Sequence, residues 1–347
     1  RWLADNNLLA LEHDDHRRVR RLVTTAFTPK AIVRMESQIA EVVAEFAAPL
    51  LGRRGTVDLM EEFTDPIPNT VISRITGIPA AGGDEVRFRR LAQAVIANAL
   101  PFTSEEVARE GEEAMVELSA WVREMALERQ QRPQDDLISD LVSTHDMGDE
   151  MTHDEIVTLV AGLVSAGSET TALGALVSVI SLLQNPYVFE QVKSDRSLVP
   201  SAVLEIIRHG MGGPAGLPRY ATRDFELRGK EIRKGQMLML SFGGANRDPD
   251  VFEHPDVFDI TRDNSNLLMF GFGAHYCLGV HLAKAELRAS VDAMCDFLPT
   301  GADICADLME FRPMGMFERP TNFPVNFSAD LPIDAPRSLI RGQQSSS

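Results

Sequence analysis

From residue 14 to 145 apolar residues recur at three- and four-residue spacing with charges between them, as in Ala31 to Leu51 and Glu105 to Arg132, which predicts a series of amphipathic helices. Breaks are expected at Pro29, Gly55, Pro66 to Pro68, Gly77-Ile78-Pro79 and Pro133. A longer helix should start at Thr152, where Thr152 and Glu155 have capping-box spacing, and run to Asn185-Pro186, roughly 45 to 50 Å at 1.5 Å per residue. Ile156 to Leu183 within it is apolar enough to resemble a membrane span. Glu169 near its middle, and Asp149, Glu150, Asp154 and Glu155 at its flank in place of lysine or arginine, make insertion costly and predict a buried central helix instead. Strand signal is late and short, at Phe225 to Leu227, Glu231-Ile232 and Met237 to Ser241, with turn-like Arg228-Gly229-Lys230 and Lys234-Gly235-Gln236 between. The pattern is mainly α with a small β region.

Composition adds limits. No Pro-, Gly- or Ser-rich linker divides the 347 residues, so residues 1–336 read as one domain and 337–347, ending Gly342-Gln343-Gln344-Ser345-Ser346-Ser347, as a disordered tail. A net charge of -17 argues against nucleic acid as a main partner, which would need a basic surface. Against that background Arg17, Arg18, Arg20 and Arg21 form a local basic knot that could be offered to an acidic partner. Cys277, Cys295 and Cys305 lack CxxC spacing, which fits a reducing, cytoplasmic setting better than a disulfide framework. The opening Arg1-Trp2-Leu3, without Met, suggests that a preceding segment is missing.

The stretch richest in chemistry is Phe270-Gly271-Phe272-Gly273-Ala274-His275-Tyr276-Cys277-Leu278-Gly279, ahead of a helical run from Val280 to Phe297. Gly271 and Gly273 permit a tight turn and close approach of backbone to a flat ligand. Cys277 falls at a helix start, where amides and the helix dipole lower a thiol pKa, the setting in which a thiolate ligand would be built. Cys295, by contrast, reads as a small buried hydrophobe, as Cys305 can. Two other readings compete. Leu267 to Gly273 resembles the opening of a dinucleotide-binding unit, but Tyr276 stands where a third glycine belongs. His275, Cys277 and His281 suggest zinc, without a fourth ligand of convincing spacing.

Phe270, Gly273, Cys277 and Gly279 match the haem-ligand signature of the cytochrome P-450 family, the haem-thiolate monooxygenases, and other stretches resemble that family in the same order, from His16 to Phe323-Pro324-Val325-Asn326-Phe327. The resemblance implies the mainly helical haem-thiolate monooxygenase fold and haem b as cofactor, with Cys277 as proximal iron ligand. It implies that Ala166, Gly167, Phe270, Gly271, Leu278 and Gly279 border the haem, and that His16, Arg20, Arg219 and His275 hold its propionates, a task suited to arginine. Ala166-Gly167-Ser168-Glu169-Thr170-Thr171 resembles the oxygen-binding segment, in which Glu169 and Thr170 relay protons. The competing reading has Thr170 bonding back to its own helix and Glu169 meeting a buried arginine. Glu205 and Arg208 match the Glu-x-x-Arg ion pair bracing the proximal side. The family's further basic residue would come from Pro255-Asp256-Val257-Phe258-Asp259, where Val257 stands instead.

The implied activity is hydroxylation or epoxidation of a small apolar substrate with dioxygen. Electrons would come from NAD(P)H through a ferredoxin reductase and an acidic ferredoxin docked on Arg17, Arg18 and Arg21, with help from Lys284 and Arg288. A monomer without membrane segment is expected, with an apolar pocket near Leu163, Val164, Gly210 to Leu217 and Met314 to Phe317. The alternative is a haem-binding protein or sensor without efficient turnover, which Glu169 and Thr170 argue against.

Overall fold

The computed structural model describes residues 8–9, 11–78, 84–99, 104–145, 151–211, 216–314 and 317–332. The chain's opening, Pro79 and the tail, for which breaks or disorder were expected, lie outside them. Eleven α-helices are described: α1 (His13–Thr24), α2 (Pro29–Ala47), α3 (Pro66–Thr76), α4 (Asp84–Ala99), α5 (Glu105–Gln131), α6 (Leu137–His145), α7 (His153–Gln184), α8 (Pro186–Ser194), α9 (Val199–Gly210), the short α10 (Phe242–Ala245) and α11 (Val280–Phe297).

Local chemistry sets their ends. Thr28 caps α2 by accepting from the Ala31 amide at 3.2 Å, which puts Pro29 at the first helical position, where a missing N–H costs nothing. The same logic turns Pro66 to Pro68, expected as a break, into the first turn of α3, directly after a π-helical turn at Met60–Thr64. α7 opens with the expected capping box: the Glu155 amide donates to Thr152 Oγ1 at 3.2 Å, and the Thr152 amide to Glu155 Oε2 at 2.8 Å. Its 32 residues span about 48 Å. Long and apolar enough to cross a membrane, α7 nevertheless packs against α3, α4, α5, α6, α8, α9 and α11. Its buried Thr158, Ser168 and Ser178 donate to their own helix, at the carbonyls of Asp154, Val164 and Gly174, so these three hydroxyls are satisfied.

Strands are few. β1 (Thr56–Asp58), β9 (Pro324–Asn326) and β6 (Asp303–Ile304) form one sheet in that order, with Val57 opposite Val325 and Ile304 also opposite Val325. β2 (Leu217–Tyr220) pairs with β5 (Met237–Leu240), β3 (Phe225–Leu227) with β4 (Lys230–Ile232), and β7 (Phe311–Met314) with β8 (Phe317–Pro320), all antiparallel. Ser241, expected to end a strand, instead caps α10 through the Gly244 amide at 3.1 Å. One apolar core runs from Val19 to Phe327. The architecture is the expected one, mainly α with a small β region.

Candidate functional site

The Phe270–Gly279 loop is drawn into a closed turn by two backbone bonds, Gly271 N–H to Leu268 O at 2.8 Å and Cys277 N–H to Phe270 O at 2.9 Å. Gly271 and Gly273 take φ of 75° and 80°, the left-handed region that disfavours any side chain. A Cβ at Gly273 or Gly279 would meet nothing within 4 Å, so both glycines border open space. Phe272, between the two turn glycines, is 89% exposed. Cys277 is half-buried, and burial pushes its thiol above the ordinary value. The Gly279 amide and the Arg20 charge act the other way without prevailing, so the helix start does not by itself lower this thiol as the sequence suggested. A cation placed against Cys277 would favour the thiolate form.

α1 is stitched to this loop. Arg20 donates to the Tyr276 carbonyl, and the buried His16 ring lies 4.2 Å from that of His275. His275 Nε2 is 3.4 Å from Glu12 Oε2, an acid that sequence reading did not single out. His16 Nε2 is buried with no hydrogen-bond partner. Burial, then the neighbouring His275 and Arg20, hold His16 below its ordinary pKa, with Glu12 opposing. Two imidazoles and a guanidinium thus converge with an orphan nitrogen among them, at the edge of an open cleft of ≈ 580 Å³ lined by Arg17, Arg21, Thr24, Thr28, Gly273 and Ala274 as well. Arg219 does not join them: it is exposed on β2 and donates to Pro218 O at 2.9 Å.

Along α7, mostly buried, one stripe is bare. Ala166, Thr170 and Leu173 are exposed, with Leu163 and Gly167 half-buried beside them. Their three- and four-residue spacing puts them on one face. A Cβ at Gly167 would come no closer than 3.7 Å to Ile72, leaving room there. Thr170 Oγ1 donates to Ala166 O at 2.7 Å, the back-bonded arrangement, so its hydroxyl proton is engaged while its oxygen remains an acceptor. Glu169 is half-buried. α11 crosses α7 one turn further on, where a Cβ at Gly174 would touch Leu287 at 3.1 Å, and this crossing fixes the Cys277 loop relative to the stripe. Val164, expected to line a pocket, is fully buried in the core, and residues 212–215 and 315–316 of that expected pocket lie outside the described set.

Glu205 and Arg208 form a fully buried bidentate pair, at 2.7 and 2.8 Å. The remaining Arg208 N–H groups reach the carbonyls of Asn246, Pro255 and Val257. Glu205 also accepts from Asp259 N–H at 2.9 Å and Asn264 Nδ2 at 3.2 Å. The third brace, missing at Val257, is Arg262: its Nε is 3.5 Å from Glu205 Oε1, and its other nitrogens donate to the carbonyls of Glu253, His254 and Val257. Val257 thus contributes its carbonyl to the brace. The basic knot, in turn, is divided. Arg18 pairs with Glu155 at the start of α7 and Arg17 with Asp14, so Arg18 does not extend the cleft surface.

These residues fit an iron porphyrin: one thiol that would ligate iron as a thiolate, cationic and imidazole donors with an unmet nitrogen for two carboxylates, and a bare helix stripe for a flat face. Zinc is not favoured, since among the described residues no three His, Cys, Asp or Glu side chains are grouped to hold a metal.

A family model described as Cytochrome P450 matches residues 3–294. The chain is 34% identical over 300 residues to cytochrome P450 CYP107DY1 of Priestia megaterium, covering 86% of this chain and 71% of that protein. It is 33% identical over 298 residues to mycinamicin IV hydroxylase/epoxidase of Micromonospora griseorubida, covering 86% and 73%. The crystal structure of P450BioI with a hexadec-9Z-enoic acid-ligated acyl carrier protein is similar at a TM-score of 0.84 and 31% identity, over 94% of this chain and 82% of that one.

Proposed function

The chain belongs to the cytochrome P450 family and is a haem b monooxygenase, and from that premise we propose that Cys277 is the iron ligand and Thr170 and Glu169 the proton-handling pair. When bound, haem would supply the centre at which dioxygen is activated with two electrons and two protons, so that one oxygen enters an apolar substrate by hydroxylation or epoxidation and the other leaves as water. The observation that carries the site assignment is the knitting of α1 to the Cys277 loop around an unmet His16 nitrogen.

Each residue then has a task. His16, Arg20 and His275 hold the propionates and relieve the orphan nitrogen. Arg219 joins them by leaving Pro218 O when a carboxylate offers a stronger, charge-assisted acceptor. Gly273 and Gly279 leave the loop open to the macrocycle, with Phe270, Gly271 and Leu278 around it, while Ala166 and Gly167 make room above. Thr170, its own proton engaged by Ala166 O, accepts from a water and holds it for proton transfer, and the Glu169 carboxyl replenishes that proton. Glu205, Arg208 and Arg262 keep the proximal side rigid.

Electrons reach the haem from an acidic ferredoxin and its reductase in a cytoplasmic, monomeric protein. Residues 1–336 act as one domain, a reading supported by the pairing of β1 with β9 and by the single core. The test is optical: the reduced, carbon-monoxide-bound protein should absorb at the long-wavelength Soret position of thiolate ligation, and Cys277→Ala should abolish that band. Stoichiometric zinc without haem would overturn the reading.

A further inference from the structure

Glu12 stands immediately before α1, and its backbone carbonyl accepts from the His16 amide at 3.3 Å. His13, the first residue of α1, takes φ of 52°, a left-handed backbone that is uncommon for a residue with a side chain and persists where the surroundings over-determine it. The chain thus enters α1 through a bend, and the Glu12 carboxylate lies against His275 Nε2 at 3.4 Å. An ionised carboxylate can only accept, so this contact puts the ring hydrogen of His275 on Nε2. A haem propionate is a carboxylate too and needs the same N–H. Among the described residues Glu12 is also the one negative charge that acts on His16, against the positive His275 and Arg20. Asp14, two residues further on, is turned to Arg17 instead. The Glu12 side chain is 68% exposed, so it can swing into water without uncovering the core.

We propose that Glu12 is a placeholder for the cofactor's carboxylate: it holds the His275 N–H while the site is empty and is displaced into solvent when haem seats. The proposal rests on the haem reading, since it needs a carboxylate-bearing ligand among His16, Arg20 and His275. In the empty site Glu12 fixes the tautomer that a propionate will use and offsets the positive charge gathered around His16. Once haem is in place the same carboxylate works against it. The rings of His16 and His275 are 4.2 Å apart, so a propionate received by either lies close to Glu12, and like charges at that range repel. The sign of this effect sets a placeholder apart from an anchor. If Glu12 served only to position His275, its loss would loosen haem, whereas loss of a competitor tightens it.

The test is the rate at which the holoprotein loses haem to an excess of apo-globin. Glu12→Gln should lose haem about two- to five-fold more slowly than the parent, the scale of one exposed charge contact. Asp14→Asn removes a carboxylate two residues along that does not touch His275, and it should change the rate less. In a His275→Gln background, Glu12→Gln should make little further difference, because the contact it acts through is gone. Given a parent holoprotein with the thiolate spectrum, haem loss from Glu12→Gln at the parental rate or faster overturns the proposal while the haem reading stands. Equal slowing by Asp14→Asn, or full slowing in the His275→Gln background, overturns it as well, since the effect would then not pass through the His275 contact. A parent protein that shows no thiolate spectrum overturns both.

Discussion

The brace around Glu205 and the cluster around His16 are both buried polar assemblies, and they differ in completeness. All five N–H groups of Arg208 have acceptors, two on Glu205 and three on backbone carbonyls, and the pair is wholly out of solvent. The orphan atoms in that region belong to the amides of Asn246 and Asn264, outside the ion pair itself. At His16, by contrast, a buried ring nitrogen has no partner and the charges beside it are all positive except Glu12. A buried charge is tolerated only when paired, whereas an unmet donor near open space is a demand for a ligand. The brace is therefore finished by the chain alone, and the His16 cluster is finished by the cofactor.

Removing a member of each should break the two regions differently. Arg208→Ala leaves the Glu205 carboxylate buried without its main counter-charge, an error of about 3–5 kcal/mol. Urea unfolding of the haem-free protein should show that loss, and an unchanged midpoint would mean that the brace is not structural. His16→Ala should leave the midpoint of the haem-free protein within about 1 kcal/mol, because it deletes a ring that contributes an unmet group. It should weaken haem retention by roughly ten-fold, the worth of one hydrogen bond to a charged acceptor. Haem loss to an excess of an apo-globin measures it, and parental retention would remove His16 from the site.

The contrast also separates what the sequence made legible from what it hid. The capping box at Thr152, the span of α11 and the turn at Gly271 and Gly273 are local, each specified by residues within a few positions, and the structure has them where they were expected. Arg262 was missed because its partner Glu205 is 57 residues away and one basic residue at a helix-free position carries no signal of burial. The pairing of Arg18 with Glu155 was hidden because the two are 137 residues apart. Strand pairing fared likewise: β1 is three residues long and gains its place only from β9. Thr170 showed both of its readings in the sequence, and its bond to Ala166 O does not exclude the functional one, since the oxygen stays open to the stripe.

Glu286 on α11 sharpens the comparison, being buried like Glu205 and unmet like His16. Its Oε2 has no partner, and burial raises its pKa well above the ordinary 4.5, which favours the neutral acid in the native chain. The folded form binds the proton more tightly than the unfolded one. This contribution to stability is present below 4.5 and falls away as pH rises through the folded value. Glu286→Gln, neutral at every pH, should match the parent in thermal stability at acid pH and exceed it increasingly as pH rises. Parallel melting curves for the two proteins across the pH range would show that Glu286 is not a buried neutral acid.

Thr170→Ala should disturb fold and haem least. The substitution removes a hydroxyl and a methyl from an exposed position of a long helix, and the bond it deletes is local, to Ala166 O one turn back. Helix stability should change by less than about 0.5 kcal/mol, since threonine is a weaker helix former than alanine and the lost back-bond offsets part of that gain. Haem content and substrate affinity should therefore match the parent. The loss falls on proton delivery, because an oxygen at this place can hold a water and a methyl cannot. Reductant is then consumed without matching product, and hydrogen peroxide rises at the expense of hydroxylated or epoxidised substrate. Glu169→Gln should behave differently, slowing the whole cycle, because the residue that replenishes the proton loses its carboxyl. Equal coupling of reductant to product in Thr170→Ala and the parent would make the hydroxyl a helix ornament and place the proton route in water or in the substrate.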